Sequence, residues 1–381
     1  MPAILALNSG SSSVKFALFD ERLRPTLKAQ VENIGAGLSP RLTIVGGGPS
    51  RPIGGDSHGA IIGDLIRDVI LPAAGEVAGV GHRVVHGGTR FAAPARIDAD
   101  VRAEIARLAP LAPSHQPHNL AGIDAIAAVL PHVSQVACFD TAFHRTIPEH
   151  RQMMALPRRF AGQGLLRFGF HGLSYQSIVA ALPALIGGRA DGRIVACHLG
   201  NGCSLAGIVA GASHFTSMGF TPLDGLVMGR RPGRLDPGAV LWLVERHGGD
   251  TEVVRRLLNQ ESGLLGVSGI SPDMRDLLAS GEATARLAVT MFVDRLAQEI
   301  GAAAAATGGI DALVFTGGIG ENAAPIRATA IAALSFLGLT LDAAANARHG
   351  ATISAKGARP SAHVVATDEE AVIAAAVRQL L

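Results

Sequence analysis

The sequence predicts an α/β protein made of two duplicated halves, each a sheet covered by helices on both faces. Three observations carry that prediction. At 381 residues the chain is too long for one ordinary core. Strand-like and helix-like stretches alternate along it, with no long block of either kind. Two hairpins about half a chain apart share one layout: residues 3–19 (AILALNSGSSSVKFALF) and 194–209 (IVACHLGNGCSLAGIV) each read as apolar strand, small polar turn, apolar strand. On that pattern Gly10-Ser11-Ser12 lines up with Gly202-Cys203-Ser204. Both turns use residues that tolerate positive φ and leave backbone N–H groups unobstructed.

Residues 3–45 alternate as strands with short turns, an opening β-meander. Residues 46–59 (GGGPSRPIGGDSHG) are turn-rich and read as a surface loop. Residues 60–71 have helical spacing, and 80–85 form a strand leading into His86-Gly87-Gly88. A helix over 100–108 is stopped by Pro110 and Pro113. A second helix covers 120–129, and a buried strand over 134–139 ends at Asp140. A polar loop, 141–151, closes the first half. In the second half a helix over 175–185 precedes the central hairpin, and a Gly/Arg/Pro-rich loop follows over 217–238. Helices are expected over 239–247, 250–259 and 284–307. A strand over 312–315 runs into Thr316-Gly317-Gly318-Ile319-Gly320-Glu321-Asn322, then a helix over 325–337. A strand over 363–366 and a helix over 369–381 end the chain.

Hydrophobic residues make up 48% of the chain and charged residues 17%, ample for a sizeable core. The longest tempting apolar segment, 300–315, is broken by Asp311 and diluted by Gly and Thr, so no bilayer span is expected. The N-terminus starts a strand at once, without a basic leader, which predicts no export. Cys138, Cys197 and Cys203 are an odd set within apolar strands. They suit a reducing cytoplasm and not a disulfide framework. A net charge of +2 with scattered basic residues leaves no footprint for nucleic acid. Only Lys15, Lys28 and Lys356 of the 33 basic residues are lysine, so Lys15, beside a Gly/Ser turn, stands out.

Several loops could carry chemistry. Asn8, Ser11, Ser13 and Lys15 put an amide, two hydroxyls and a cation on the first hairpin, suited to phosphate oxygens or hydrated Mg²⁺. A polar turn capped by its own hydroxyls is the plainer alternative. No G-x-x-x-x-G-K-[ST] loop occurs in the chain. Arg83, mid-strand among valines, needs an anionic partner, either a buried carboxylate or a bound anion. His82 and His86 lack the helical spacing and the glutamate of a zinc motif, so no metal is expected there. Asp140 would sit at the carboxyl edge of a sheet, where α/β sites gather, although such a residue also serves as a turn or cap. His171, in RFGFHG, reads first as a structural histidine. Arg230, Arg231 and Arg234 crowd into five residues, which is costly unless anions offset the charge; a solvated basic loop is the alternative. Gly318-x-Gly320-x-x-Ala323, with Asp342 about twenty residues on, matches a dinucleotide fingerprint. One clear strand follows it, too few for a full dinucleotide half-fold. An adenosine nucleotide approached at a helix N-terminus is therefore preferred to a nicotinamide dehydrogenase.

Taken together, LNSGSSSVKF, GHRVVHGG, HNL, FDTAFH, RFGFHG, HLGNGCS, TSMGFTPLDGLVMG, SGISPDMRD, FTGGIGENA and TDEE run in order through nearly the whole chain. The sequence so resembles the acetate kinase family, within the superfamily of actin, sugar kinases and heat-shock chaperone ATPases. The resemblance implies two ribonuclease H-like domains with the active-site cleft between them. One would be residues 1–145, completed by the helix at 369–381; the other would be residues 146–368. It implies reversible phosphoryl transfer from ATP to acetate by direct in-line attack, with propionate or butyrate as the alternative acceptor. It also implies Mg²⁺, with Mn²⁺ as a substitute, small-molecule partners without nucleic acid or membrane, a cytoplasmic location and a homodimer.

Carried over by residue, Asn8 and Glu369 would be the metal partners and Lys15 a nucleotide contact. Arg83 and Arg231 would hold the substrate carboxylate and the transferring phosphoryl group. Asp140 would be the catalytic acidic residue and His171 a transition-state donor. His115, His198, Leu199, Gly200, Asn201 and Gly202 would lie along the phosphates. Asp273, Met274 and Arg275, with Gly317, Gly318, Ile319, Gly320 and Glu321, would hold the adenosine end. Val85, Phe170 and Pro222 would form a small apolar pocket for the methyl group. The chain departs from the family pattern at Ser114, at Arg230 and Arg234, and at Asp368. A non-catalytic ATP-binding protein of the same superfamily is the other alternative.

Overall fold

The computed structural model describes residues 2–10, 12–35, 39–55, 57–113 and 115–381. The chain forms two units. One comprises Met1–Phe143 with Asp368–Leu381, and the other His144–Thr367.

The first unit holds a sheet of eight strands: β1 (Ala3–Ser9), β2 (Ser13–Phe19), β3 (Pro25–Glu32), β4 (Arg41–Ile44), β5 (Arg51–Pro52), β6 (Val77–Val84), β7 (Ala95–Arg96) and β8 (Ser134–Phe139). Their order is β5-β4-β3-β2-β1-β6-β8-β7. The meander β1 to β5 is antiparallel, whereas β6 runs parallel to β1 and β8 parallel to β6. The carboxyl ends of β1, β6 and β8 thus share one edge, which collects Asn8, Arg83 and Asp140. On one face Leu5, Leu7, Val14, Phe16 and Leu18 bury against Ile61, Ile62, Leu65 and Ile66. The helix Glu369–Leu380 lies on β1 and β6, burying Ile373 and Val377.

That helix is seated by two glycines of β6. A Cβ on Gly81 would collide with Ile373 Cγ2, and one on Gly79 would lie 2.8 Å from Val377 Cγ1. Side chains along a strand alternate between faces, so Arg83 shares the face of Gly79 and Gly81. It therefore meets the first turn of the C-terminal helix, where Glu369 sits.

The second unit holds β9 (Arg193–Leu199), β10 (Cys203–Val209), β11 (Ala212–Thr216), β12 (Ala312–Thr316) and β13 (Ser361–Val364), ordered β11-β10-β9-β12-β13. Strands β9, β10 and β11 are antiparallel; β12 is parallel to β9 and β13 to β12. This repeats β3-β2-β1-β6-β8 in order and direction, so the two sheets are copies of one topology. The 25-residue helix Ala283–Thr307 covers β10 and β9. Among the described residues one parallel strand, β13, follows the Gly318-x-Gly320-x-x-Ala323 segment, and β9 to β11 are antiparallel, so the parallel βαβαβ half of a dinucleotide fold does not form and the dehydrogenase reading falls.

Other expectations change in detail. Ser9 ends β1 and Leu199 ends β9, so Gly10 corresponds to Gly200 and not to Gly202. The turn itself is residues 200–202, as the apolar pattern places it; only the alignment of the two hairpins slips by two residues, because Cys203 and Ser204, matched to Ser11 and Ser12, belong to β10. The expected loop at 141–151 contains a 3₁₀ turn, Ala142–Thr146, and a short helix, Glu149–Gln152. Two unforeseen helices, Gly263–Ser268 and Met274–Ala279, are six residues each, too short for a period to show. No helix among the described residues is long and apolar enough to cross a membrane. All three cysteines are buried free thiols. Burial pushes Cys138 and Cys203 up to about 12, so neither is a nucleophile.

Candidate active site

In the first unit the carboxyl edge is organised around Arg83. Its Nε donates to Asp140 Oδ1 at 3.1 Å, its Nη2 to Oδ2 at 2.6 Å, and its Nη1 to Asn8 Oδ1 at 3.3 Å. Glu369 Oε2 stands 3.9 Å from Arg83 Nε. The partner that a strand arginine demands is thus a buried carboxylate, Asp140, with a second one close by. Burial alone would pull the Arg83 guanidinium down; the charges of Asp140 and Glu369 outweigh it and hold it above its ordinary value.

Two carboxylates against one guanidinium leave negative charge in excess. Burial, together with Asp140 and Glu370, raises Glu369 to about 7, against the opposing pull of Arg83 and Lys15. A divalent cation would relieve this. Asn8 Oδ1 and Glu369 are hard oxygen donors of the type Mg²⁺ takes, in a set too sparse to form a cage. Mg²⁺ usually binds through one or two carboxylates, waters and substrate phosphates, so the residues fit. Among the described residues no group of three His, Cys, Asp or Glu forms a metal cluster.

The backbone behind this edge is fixed by residues the sequence reading passed over. Asn119 accepts from Val85 N at 3.1 Å and donates to Ser9 O at 2.8 Å, tying the ends of β6 and β1 to the helix Gln116–Val129. Gln116 bonds both the N–H and the C=O of His86. The signal was present in the HNL motif, whose asparagine is buried. Val85 is buried, Lys15 is exposed opposite Asn8 in register, and His115 begins the helix without capping it. Asp368, one residue before Glu369, caps the C-terminal helix and pairs with Lys28 at 2.7 Å. Ser11 and Ser114 lie outside the described residues.

In the second unit the turn between β9 and β10 faces Arg231 and His171. Neither Gly200 nor Gly202 has a positive φ, so conformational freedom does not explain them. Space does. A Cβ on Gly202 would lie 2.7 Å from Arg231 Nη2 and 3.5 Å from His171 Nε2. Likewise a Cβ on Gly229 would run into Asn201 Oδ1. The three arginines of the basic loop diverge. Arg230 reaches out to Gln260 O, and Arg234 pairs with Glu299 at 2.7 Å. Arg231 turns inward and donates to Pro222 O at 2.6 Å, with no carboxylate partner among the described residues. Burial lowers its pKa, the mark of a charge without sufficient counter-charge.

His171 adopts a left-handed backbone, φ 59, at the start of the helix Gly172–Ile186, and stacks on His198 at 4.3 Å. Its Nδ1 meets Ser204 Oγ at 2.8 Å, and Ser204 Oγ meets Tyr175 OH at 2.5 Å. Burial raises Tyr175 well above its ordinary value, so its phenol keeps its proton and is a donor available to Ser204. With the phenol as donor, the single serine proton goes to Nδ1 and the imidazole N–H lies on Nε2, toward Gly202 and Arg231. Tyr175 lies four residues beyond His171 on one helix face, a spacing visible in the sequence. His198 is held in turn by Ser174 at 2.8 Å.

Phe170 is buried, whereas Pro222 is half-buried. Leu199 is buried at the end of β9. Gly317 needs its bare backbone, with φ 79 and a Cβ position 2.7 Å from Leu199 O. The segment read as a nucleotide loop is the short helix Gly317–Asn322, containing Gly318, Ile319 and Gly320; Glu321 Oε1 already accepts from Gly317 N at 2.9 Å. Asp273 caps the helix Met274–Ala279 and grips the exposed Arg275, while Met274 is buried.

A model of the acetokinase family matches residues 3–375. The chain belongs to the acetokinase family. It is a kinase, using ATP and ADP, as its family does. It is 46% identical to the acetate kinase of Rhodopseudomonas palustris (strain TIE-1), over 99% of this chain and 98% of that one. Among solved structures it is similar to a propionate kinase from Francisella tularensis subsp. tularensis SCHU S4, with a TM-score of 0.93 at 35% identity and full coverage of both chains. It is also similar to Porphyromonas gingivalis acetate kinase, with a TM-score of 0.89 at 37% identity and full coverage of both. This acetokinase-family chain thus shares the family fold from end to end.

Proposed function

We propose that the protein transfers the γ-phosphoryl group of Mg²⁺-ATP to acetate, reversibly, giving acetyl phosphate and ADP. The supporting observation is Arg231, a half-buried guanidinium held by a carbonyl, without a carboxylate among the described residues, and set beside His171 over a residue with no side chain. Such a guanidinium needs an anion from outside the protein. A phosphoryl group crossing between two oxygens supplies one.

Acetate is already ionised at neutral pH and needs no general base. Its attack on a triphosphate is an anion–anion encounter, so catalysis consists of positioning and charge neutralisation. Arg231 and His171 Nε2 serve the equatorial oxygens. Arg83, oriented by Asp140 and Asn8, offsets carboxylate charge, and Asn8 and Glu369 would hold a Mg²⁺ ion, which would supply positive charge against the phosphates. Lys15, His115, His198 and Asn201 are assigned to the phosphates, and the segments at 273–275 and 317–321 to adenosine. Val85, Phe170 and Pro222 are assigned to the methyl group. The similar propionate kinase structure makes propionate the second acceptor to test.

Removing one such donor costs about 10²–10³-fold in rate. Arg231→Leu is expected to lose turnover by at least that factor with an unchanged circular dichroism spectrum. Retention of half the activity would remove Arg231 from the mechanism. We place the enzyme in the cytoplasm, as a homodimer, on the family resemblance.

A further inference from the structure

A cavity of about 290 Å³ in the second unit has no part in the scheme above. It is lined by Arg151, Arg167, Arg234, Thr216 and Glu299, among others. Three guanidinium groups face one lining carboxylate, Glu299, and Arg167 also pairs with Asp224 at 3.4 Å, so one positive charge remains in excess. Each guanidinium engages the described residues through one nitrogen. Arg151 Nη1 donates to His214 O at 3.0 Å, Arg167 Nη1 to Met218 O at 2.9 Å, and Arg234 Nη2 pairs with Glu299. Five N–H donors per guanidinium leave most of them for a ligand. Two lining groups are also short of partners. Thr216 Oγ1 is buried without a hydrogen bond, and neither oxygen of the buried Glu299 has a well-directed one. Such groups normally find protein, water or a ligand.

We propose that this cavity binds a small multivalent oxyanion, such as inorganic phosphate or a short dicarboxylate, at a site separate from the reaction. Forked N–H groups on arginines suit paired oxygens, and the hydroxyl of Thr216 supplies a further donor. The volume lies at the small end of ligand cavities, roughly 300–1,000 Å³, and admits no nucleotide. Its position gives binding a route to the catalytic groups. Arg167 precedes His171 by one short segment, and Arg234 follows Arg231 by another. Between Arg167 and His171, a Cβ on Gly169 would lie 2.7 Å from Thr216 Cγ2.

Titration calorimetry tests this on the whole protein saturated with a non-hydrolysable ATP analogue and Mg²⁺. Inorganic phosphate and succinate are titrated in separate arms, and the arm that binds identifies the class. One ligand per chain is expected, bound about tenfold or more weakly by Arg151→Ala/Arg234→Ala, as charge-assisted hydrogen bonds imply. Glu299→Gln, which removes the opposing charge, is expected to tighten binding. No binding by the wild type, meaning that only water fills the cavity, would overturn the proposal. So would equal affinity in the double variant, or weaker binding by Glu299→Gln. None of these results bears on acetate turnover, so this proposal can fail while the kinase reading stands.

Discussion

Two arginines in strand and loop looked alike in the sequence, and their surroundings separate them. Arg83 has Asp140 and Glu369; among the described residues Arg231 has the Pro222 carbonyl and a gap over Gly202. The demand for an anion was legible from residue type alone, but its identity was not, since that depends on which strand ends come together. The role of Gly202 was misread for a similar reason. A glycine chosen for space and one chosen for φ have the same letter.

The relay behind His171 gives a prediction at this scale. Tyr175→Phe or Ser204→Ala is expected to lower kcat about tenfold with KM for ATP and acetate little changed, since one hydrogen bond that orients a donor is lost. The imidazole nitrogen shifts in NMR should show the N–H leaving Nε2. An unchanged kcat and tautomer would end the relay. Glu369 gives a second. Its folded value is raised to about 7, so in the metal-free protein its contribution to stability is complete below the ordinary carboxyl value and is lost as pH rises through about 7. Metal needs the carboxylate form, so Mg²⁺ dependence should tighten as pH rises from about 6 to 7 and then level off. Comparison with Glu369→Gln, at each pH, separates this from the titration of ATP. The same pH dependence in both proteins would exclude Glu369 from the metal.

Among the elements, β6 does most to place the site. Its glycines let the helix Glu369–Leu380 approach closely, and its alternation delivers Arg83 to the same face. The strand, the helix and their order were legible. The pairing was not, because nothing local in V-A-G-V-G-H names a partner nearly three hundred residues away. Gly81→Ala should push a methyl into Ile373 and Val377, costing about 1–3 kcal/mol. It should also displace Glu369, so a lower Tm is expected together with a raised KM for Mg²⁺. A lower Tm with unchanged metal dependence would show that the helix seat and the metal site are independent. The turn between β9 and β10 shows the limit from the other side. Apolar patterning found the hairpin and its turn at 200–202 but matched it to the first hairpin two residues late, since Cys203 and Ser204 resemble the small polar residues of that first turn.

For the whole molecule, the repeated strand order makes duplication a physical statement and not an echo of small residues. Topology was foreseeable only through the family resemblance, because antiparallel and parallel neighbours leave similar apolar runs. The second unit also exposes Leu241 at 64% and Trp242 at 59% on the helix Pro237–Arg246, which buries no residue. An uncovered apolar face of that kind supports the proposed homodimer. Trp242→Glu is expected to shift the mass measured by light scattering from dimer to monomer. A wild-type monomer, or an unaffected dimer, would contradict that assignment.

The central claim is the reaction. It is tested most directly by incubating the protein with Mg²⁺-ATP and acetate, propionate or butyrate in parallel, and trapping acyl phosphate with hydroxylamine. The account predicts trapped acetyl phosphate, with the highest kcat/KM for acetate. A clear preference for propionate or butyrate would contradict the acceptor, and no trapped product with any acid, despite ATP binding, would contradict the phosphotransferase itself.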